Sequence, residues 1–455
     1  MRRSIRYRRG VDAPFGRGAR SLWLVTGLVA LAALPVMNLA GPQDRTRYEL
    51  TRHVVLYGEL TIEPGFYDRA QYNGKTYSDK APGMSFLAVP AYELERLVGV
   101  ARTPGQWTQK GDPALWLIRA LSSGLLFLAS VLVVGRLAER FVPGSGALTA
   151  GVFGTATLVA PLAPTLFEHD SAAALGIGAF ALLLCGNRRA TIALAGLCAG
   201  LAVCFEYSLG LVVLALAVLC LARYRRNVAW YVAGLVPGGI ALGAYDWATF
   251  GSPFHLSYRY ESGVLGGEQH TGFFGIGTPT LHGVWHVLAG SRGLLVFSPV
   301  LVAAAAGLVL MWRRGHVAEA LAAGLLTVAF VVSDAGYFLP YGGGSPGPRF
   351  FVPALPFLVL GLPFAFSRFP RTVLVLAAVS VVLMSVDAVT WGSRNDVVWI
   401  PSHPQNHISK NLFVYLHVNR FIGSGFMVLC GLAAVAVGWL VFRARTPDAG
   451  ARITA

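Results

Sequence analysis

Long apolar runs, separated by polar segments, make up most of the chain. Each approaches or exceeds the length of about 20 residues that a helix needs to cross the hydrocarbon core of a membrane. We interpret as membrane spans the runs near 22–40, 114–135, 144–166, 171–186, 190–206, 207–222, 228–249, 294–312, 317–333, 350–366, 372–392 and 421–441. The pattern therefore predicts an all-α polytopic membrane protein with about 12 transmembrane helices.

The connections between the runs are of two alternating kinds. Short connections carry pairs or clusters of arginine, whereas the long ones are rich in Tyr, Trp and Gly with mixed charge. Because basic connections stay in the cytoplasm, we predict that both termini are cytoplasmic and that the long connections face outward. The resulting layout is a basic cytoplasmic tail at 1–20, a transmembrane domain at 21–443 with its first outer loop at 41–112, and a second cytoplasmic tail at 444–455.

Composition agrees with this interpretation. Of 455 residues, 55% are hydrophobic and 13% are charged, and the mean hydropathy is +0.58, which excludes an ordinary soluble domain. The net charge of +15 is assigned to cytoplasmic connections, so nucleic-acid binding is not expected. All five cysteines fall within apolar runs, so the loops offer no disulfide framework and no cysteine metal site.

The first outer loop opens with a polar and apolar mixture at helical spacing that ends at Gly58, and a second short apolar element follows at 84–92. Both are predicted to be short surface helices. Asp44 stands at the start of the first one. It is either a helix N-cap, a common role for Asp, or a carboxylate placed to accept a proton from a hydroxyl acceptor.

Lys80 precedes the Pro82–Gly83 turn that leads into the second element. Its ammonium group has two interpretations at the membrane boundary. It either reaches lipid headgroups without a specific partner, or it binds a phosphate as a compact point charge.

The motif from Asp44 to Glu49, followed by Gly58 and by Tyr77-Ser78-Asp79-Lys80, resembles the first periplasmic loop of the GT-C membrane glycosyltransferases. Within that superfamily it is most similar to the lipid A aminoarabinose transferase and protein O-mannosyltransferase family. The resemblance implies a polyprenyl-phosphate sugar as donor, Asp44 as catalytic base and Lys80 at the donor phosphate. Residues expected to support them are Arg47, Tyr48 and Asp79.

A second acidic cluster, Glu168-His169-Asp170, lies between two apolar runs. The resemblance makes Asp170 the second catalytic acid, with Glu168 and His169 in support. Taken by itself the cluster is also consistent with a solvated turn. It is likewise consistent with part of a divalent-metal site, although its ligand spacing is not specific.

Two arginines stand at the predicted outer ends of spans. Positive charge is unusual there, because basic residues concentrate in cytoplasmic connections. Arg292 and Arg349 belong to stretches that resemble later motifs of a bacterial branch of the same superfamily. Each is expected to bind the donor phosphate bidentately, with lipid headgroup contact as the alternative. Further candidates for functional residues are three acids in or near apolar runs, Glu206, Asp246 and Asp334. Each belongs either to the site or to an ion pair, for instance with Arg119.

The function predicted is transfer of a sugar from a polyprenyl-phosphate carrier to a hydroxyl of a lipid, glycan or protein acceptor, with inversion, on the outer face of a bacterial cytoplasmic membrane. The enzyme would be a glycosyltransferase that requires no nucleotide and no cofactor, with a divalent metal as an open possibility and the lipid-linked sugar as substrate. The competing interpretations are a transporter or flippase of similar span number and a ligase of lipid-linked glycans. A transporter is expected to place its polar groups near the membrane midplane, whereas here they concentrate in the outer loops.

Overall fold

The computed structural model describes residues 17–38, 40–65, 68–102, 111–263, 266–390 and 408–445. Most of the predicted N-terminal tail, the C-terminal tail from 446 and residues 391–407 of the last long connection lie outside this range. The described helices are α1 Arg17–Ala33, α2 Pro42–Tyr57, α3 Gly83–Leu87, α4 Val89–Leu97, α5 Pro113–Arg119, α6 Leu125–Phe141, α7 Gly146–Ala156, α8 Val159–Leu162, α9 His169–Cys185, α10 Arg189–Phe205, α11 Gly210–Tyr224, α12 Val228–Phe250, α13 Gly266–Gln269, α14 Leu281–Ala289, α15 Leu294–Phe297, α16 Val300–Arg313, α17 Val317–Gly336, α18 Leu355–Leu358, α19 Leu362–Arg368, α20 Pro370–Thr390 and α21 Arg420–Arg445. The strands are β1 Val36–Met37, β2 Ala70–Tyr72, β3 Lys75–Tyr77 and β4 Lys410–Asn411.

The helices have the length and composition of a multi-pass membrane protein. In the described residues six helical segments are long and apolar enough to cross a membrane, or seven if a bent pair is one span, and four further apolar helices are shorter. Every predicted span coincides with at least one helix. The all-α prediction is confirmed, whereas the number of twelve crossings stays a prediction.

Three predicted spans are less regular than the sequence pattern indicated. The first ends at Ala33, and the chain continues into β1. The run at 144–166 is interrupted at Thr157, between α7 and α8. The segment that ends in α15 bends by 95° relative to α16, across Ser298 and Pro299, because proline cannot continue a helix whose interior hydrogen bonds it would remove.

Close helix packing depends on glycine. An added Cβ at Gly196 of α10 would lie 2.0 Å from the Tyr231 carbonyl oxygen of α12, and one at Gly234 of α12 would lie 2.0 Å from the Ala193 carbonyl oxygen. Only glycine permits this distance between the two backbones, which is typical of small-residue packing in membrane bundles.

Helix α2 confirms most of the local prediction for the first long loop, and it corrects one detail. It ends at Gly58, whose φ of 66° lies in the left-handed region that favours glycine. Its N-cap is Gly41, so Asp44 occupies the third helical position rather than the cap. The Asp44 carboxylate accepts the Gly41 backbone N–H at 2.9 Å, so it still satisfies a donor at the helix start.

Two small antiparallel sheets fix the loops around this helix. β2 pairs with β3 across a turn with Asn73 in the left-handed region, which leads the chain to Lys80. β1 pairs with β4, with Val36 opposite Asn411, so that segments near the two ends of the described chain lie side by side.

Candidate active site

A cavity of about 540 Å³ lies where the start of α2 meets the later loops. Its wall is built from five parts of the chain: the segment that enters α2, the Asp68 and Lys80 loops, the segment before α9, the loop before and within α13, and the segment from Tyr337 to Phe350. The lining residues are Asn38, Ala40, Gly41, Pro42, Gln43, Asp44, Asp68, Lys80, Thr165, Phe167, Glu168, Tyr258, Glu261, Gln269, Tyr337, Leu339, Gly342, Gly343, Gly344, Arg349 and Phe350. Four of the residues predicted for one site, Asp44, Lys80, Glu168 and Arg349, therefore share one cavity.

Asp44 is held by four donors. Oδ1 accepts Arg119 Nε at 3.1 Å and the Leu166 backbone N–H at 2.8 Å. Oδ2 accepts the Gly41 N–H at 2.9 Å and lies 3.0 Å from Arg119 Nη2. A carboxylate has about four lone-pair positions, so a proton can reach Asp44 only where one of these donors gives way.

Arg119 is the main partner of Asp44, and its position has a local cause. It is the last residue of α5, directly before the five-residue π-helical segment Ala120–Gly124 that joins α5 to α6. Such π segments occur frequently at functional sites. An ion pair with Arg119 was one alternative for the acids Glu206, Asp246 and Asp334, but the acid that pairs with Arg119 is Asp44.

Lys80 already has partners inside the protein. Its Nζ lies 2.5 Å from Asp79 Oδ2 and 3.5 Å from Asp68 Oδ2. Burial lowers the pKa of Lys80, but the carboxylates of Asp68, Asp79 and Glu261 outweigh burial and raise this pKa above its ordinary value. Lys80 is therefore a cation on the cavity wall whose charge is shared with acids, and it is not extended toward lipid headgroups.

Glu168 is the second carboxylate near the start of α2. It forms an ion pair with Arg47, which also donates to Gln43 Oε1 at 2.9 Å. Burial has the largest single effect on the pKa of Glu168 and raises it, but the Arg47 guanidinium, together with His169 and a hydrogen bond from Glu206, outweighs burial and lowers this pKa to about 2. Glu168 is thus charged at neutral pH.

Asp170 does not line the cavity. It lies in the first turn of α9, is buried, and neither of its carboxylate oxygens has a hydrogen-bond partner in the described part of the chain. Glu168, two residues earlier, is the acid of this cluster that reaches the wall. A step of two residues along a helix turns the side chain by about 200°, which places the two acids on different sides of α9.

The metal interpretation of this cluster has limited geometric support. Glu168, His169 and Glu206, rather than Asp170, bring possible ligand atoms within 4.8 Å of one another. However, Glu206 approaches Nδ1 of His169 at 3.5 Å and Glu168 approaches Nε2 at 3.9 Å. One ion binds one ring nitrogen, whereas these two carboxylates approach opposite nitrogens of the ring, so they do not converge on one ligand atom of His169.

Arg349 is the least neutralised cation on the wall. Its guanidinium carbon lies 5.0 Å from the ring centre of Phe167 and 5.1 Å from that of Phe350. No ion pair or hydrogen bond of its side chain is found among the described residues, and its buried Nε has no acceptor. A guanidinium in this position favours an anionic ligand such as a phosphate.

Arg292 was predicted to bind the donor phosphate, but it does not line the cavity. It donates to the carbonyl oxygens of Gly343 at 3.2 Å and Ser345 at 3.0 Å, and it stacks on Tyr341. Arg292 therefore fixes the glycine-rich segment whose residues 342–344 form part of the wall.

Other predicted residues lie behind the wall. The Tyr48 hydroxyl donates to Glu95 at 2.7 Å and accepts the Arg102 backbone N–H at 2.9 Å. Asp246 and Asp334 are buried and do not contact the cavity.

Several wall residues had no signal in the sequence that would have selected them. They stand in long connections among many similar side chains: Asp68, Tyr258, Glu261, Gln269 and Tyr337. Glu261 is notable, because burial, with the nearby Asp79, raises its pKa to about 7.

No protein-family model matches the chain, and no curated protein matches its sequence. Solved structures do. ArnT from Cupriavidus metallidurans bound to undecaprenyl phosphate is 16% identical, with a TM-score of 0.55 over 93% of this chain and 77% of that chain. The apo state of the same protein is 18% identical, with a TM-score of 0.54 over 93% and 76%.

The archaeal oligosaccharyltransferase AglB from Archaeoglobus fulgidus, in complex with an inhibitory peptide and a dolichol-phosphate, is 12% identical. Its TM-score is 0.50 over 94% of this chain and 56% of that chain. At these identities the likeness concerns the fold. The chain has the GT-C fold, and the predicted fold class is confirmed.

Proposed function

We propose that this protein is a membrane glycosyltransferase that transfers a sugar from a polyprenyl-phosphate carrier to a hydroxyl group of a lipid, glycan or protein. The observation that carries the proposal is the shared cavity, whose wall combines the carboxylates of Asp44 and Glu168 with the cations of Lys80 and Arg349. The choice of carrier is supported by two structures of the same fold, which hold undecaprenyl phosphate and a dolichol-phosphate.

The reaction needs one bond to form and one to break. The acceptor oxygen bonds to the anomeric carbon while the bond from that carbon to the carrier phosphate breaks, and the electron pair remains on the phosphate. Attack from the face opposite the phosphate inverts the anomeric carbon. The acceptor hydroxyl loses its proton to a carboxylate, and cations stabilise the charge that develops on the leaving phosphate.

Asp44 is the base in this proposal. It lies on the wall, and its four donors hold both oxygens in fixed positions. Proton transfer requires one donor to move aside, and the Arg119 side chain can do so more readily than the backbone N–H groups. Glu168 is a weak base because its pKa is about 2, so its part is to bind hydroxyl groups of the sugar or acceptor.

Arg349 binds the carrier phosphate. Its charge has no carboxylate partner among the described residues, and its guanidinium can bind two phosphate oxygens at once. Lys80 supplies a second positive charge, weakened by Asp68 and Asp79. Arg292, Arg47 and Asp79 position wall residues without being placed against substrate.

The proposed location is the bacterial cytoplasmic membrane, with both termini in the cytoplasm and the cavity on the outer face. This orientation rests on the alternation of arginine-rich and polar connections. The partners are the lipid-linked donor, a hydroxyl-bearing envelope acceptor and membrane lipids. No cofactor is assigned, and the donor is a substrate.

The test uses the full chain in lipid nanodiscs, a panel of polyprenyl-phosphate sugars and an envelope extract as acceptor source. We expect release of polyprenyl phosphate with at least one donor, and loss of this release in Arg349→Ala. The matched control is Arg314→Ala, which removes an exposed arginine stacked on Phe364, away from the cavity. If proteoliposomes instead move intact donor across the bilayer without cleaving it, the protein is a transporter and the proposal is wrong.

A further inference from the structure

A second group of charged side chains lies on α2, away from the cavity wall. Glu49 and His53 are four residues apart, so they share one face of the helix. After α2 ends at Gly58, the chain turns back, and Thr61 pairs with Tyr77 of β3. This return brings Glu63 to the same face, and ligand atoms of Glu49, His53 and Glu63 lie within 4.8 Å of one another.

Both carboxylates approach the same nitrogen of the imidazole. Nε2 of His53 is 3.1 Å from Glu49 Oε1 and 3.9 Å from Glu63 Oε1. His53 and Glu49 are 6% and 0% exposed, and neither Nε2 nor Glu49 Oε1 has a hydrogen-bond partner in the described chain. The two buried atoms face each other across a short gap, an arrangement that either a proton or a bound cation between them would satisfy.

The other ring nitrogen is oriented by a hydroxyl group. Thr61 Oγ1 donates to Glu59 Oε2 at 2.8 Å, which leaves its lone pairs to accept Nδ1–H of His53 at 3.5 Å. This tautomer directs the Nε2 lone pair toward the two carboxylates. Glu49 Oε2, in turn, accepts Arg52 Nε at 3.2 Å. Metal-binding histidines and carboxylates have this kind of orienting partner.

The distances also agree with tetrahedral coordination. With zinc bonds of about 2.1 Å, two ligand atoms of a tetrahedral site lie about 3.4 Å apart, and the two measured distances fall on either side of this value. Glu63 is half exposed, so water can reach a fourth position. The Glu168-His169-Glu206 group lacks this geometry, because its carboxylates approach opposite ring nitrogens.

We propose that Glu49 Oε1, His53 Nε2 and Glu63 Oε1 bind one divalent transition-metal ion, with Zn²⁺ as the preferred example. An imidazole with two carboxylates is a donor set that suits such ions. The ion ties the last turns of α2 to the loop that follows, and it leaves the cavity wall at the other end of α2 unchanged.

The experiment measures zinc content and affinity in the purified full chain after chelator treatment and titration with Zn²⁺. We expect about one ion per chain and a rise in melting temperature on zinc addition. Affinity should fall at least a hundredfold in His53→Ala. It should fall about tenfold to a hundredfold in Thr61→Val, which removes only the orienting hydroxyl.

Glu63→Gln keeps the test decisive if His53→Ala fails to fold, since Glu63 is half exposed and its replacement by an amide is mild. The matched control is His282→Ala, because His282 and His286 form another histidine pair, with Nε2 atoms 2.9 Å apart on α14. Unchanged zinc affinity in Glu63→Gln and Thr61→Val would overturn the proposal. So would zinc binding that is lost in His282→Ala.

Discussion

Arg119 and Asp44, which are 75 residues apart in the chain, form a bidentate ion pair in which Nε and Nη2 of the guanidinium lie 3.1 and 3.0 Å from the two carboxylate oxygens. The pair is buried, although Asp44 lines the cavity. The carboxylate proposed as base is therefore also a structural anchor. Variants at this position have to separate the two roles.

Asp44→Asn should lower turnover by about a hundredfold to ten-thousandfold, the usual contribution of general acid-base catalysis. It also breaks the pair with Arg119, and removing one partner of a buried pair costs about 3–5 kcal/mol of folding free energy. Steady-state turnover and melting temperature are measured together, with substrate at saturation.

The matched control is Asp112→Asn. Asp112 is a helix N-cap in the same loop and lies 3.1 Å from Arg102, but it does not line the cavity. If both variants keep the turnover of the unmodified protein per folded molecule, Asp44 is not the base and has only a structural role.

Arg349→Ala should weaken donor binding by about tenfold to a hundredfold, the effect of losing a charge-assisted hydrogen bond worth roughly 1.5–3 kcal/mol. Arg349→Lys should be intermediate, because an ammonium group keeps the charge and loses the bidentate geometry. Titration with a non-cleavable polyprenyl-phosphate analogue measures the affinity. Equal affinity in all three proteins would contradict phosphate binding by Arg349.

Lys80→Ala should reduce stability as well as donor binding. It leaves Asp79 and Asp68 without the ammonium group that lies 2.5 and 3.5 Å from them. The double variant Lys80→Ala with Asp79→Asn should regain part of the melting temperature but none of the donor affinity. Recovery of both would mean that Lys80 has only a structural role.

Glu95, which lies outside the apolar helices, should make the stability of the protein depend on pH. Burial raises its pKa to about 8, so the folded protein keeps the Glu95 proton over a range in which the unfolded chain has lost it. Stability from this group is complete below about pH 4.5 and is lost as the pH rises toward 8. Between these two pH values, the free energy of unfolding should fall by about 1.4 kcal/mol for each pH unit because of this one proton.

Glu95→Gln should remove this part of the slope while it keeps an acceptor for the Tyr48 hydroxyl. Melting temperatures between pH 5 and 8 provide the measurement. An unchanged slope in the variant would show that other groups cause the dependence.

Cysteine labelling tests the orientation. In a variant without the exposed native Cys185, new cysteines at Lys75 and Glu268 should react with an impermeant reagent in intact cells. Cysteines at Asn187 and Arg314 should react only after permeabilisation. The four positions are exposed, so access across the membrane decides the result. Reaction at Arg314 in intact cells would reverse the proposed topology.

The sequence was sufficient to place the apolar helices and the end of α2 at Gly58, because span length and a glycine cap are local signals. It was not sufficient for the start of α2, where Gly41 rather than Asp44 is the N-cap. It also selected Asp44, Lys80 and Arg349, which share the cavity. Local signals could not show which acid of the Glu168–Asp170 cluster faces the wall, because this depends on where α9 begins.

Long-range pairs were also beyond prediction. The partners of Lys80 and of Arg292 were missed because each pairing depends on how distant loops pack, and no residue pattern records that. The same holds for Glu261, which reaches the cavity from a connection with many similar polar residues.

The pairing of β1 with β4 places Ser409 2.8 Å from the Asn38 side chain, and the Asn38 carbonyl oxygen accepts Arg119 Nη1 at 2.8 Å. Arg119 in turn holds Asp44. The support of this carboxylate thus includes residues that the ribosome adds long after α2 has been made. During synthesis, the pocket around Asp44 therefore reaches its final form only after the segment that carries β4 has been made.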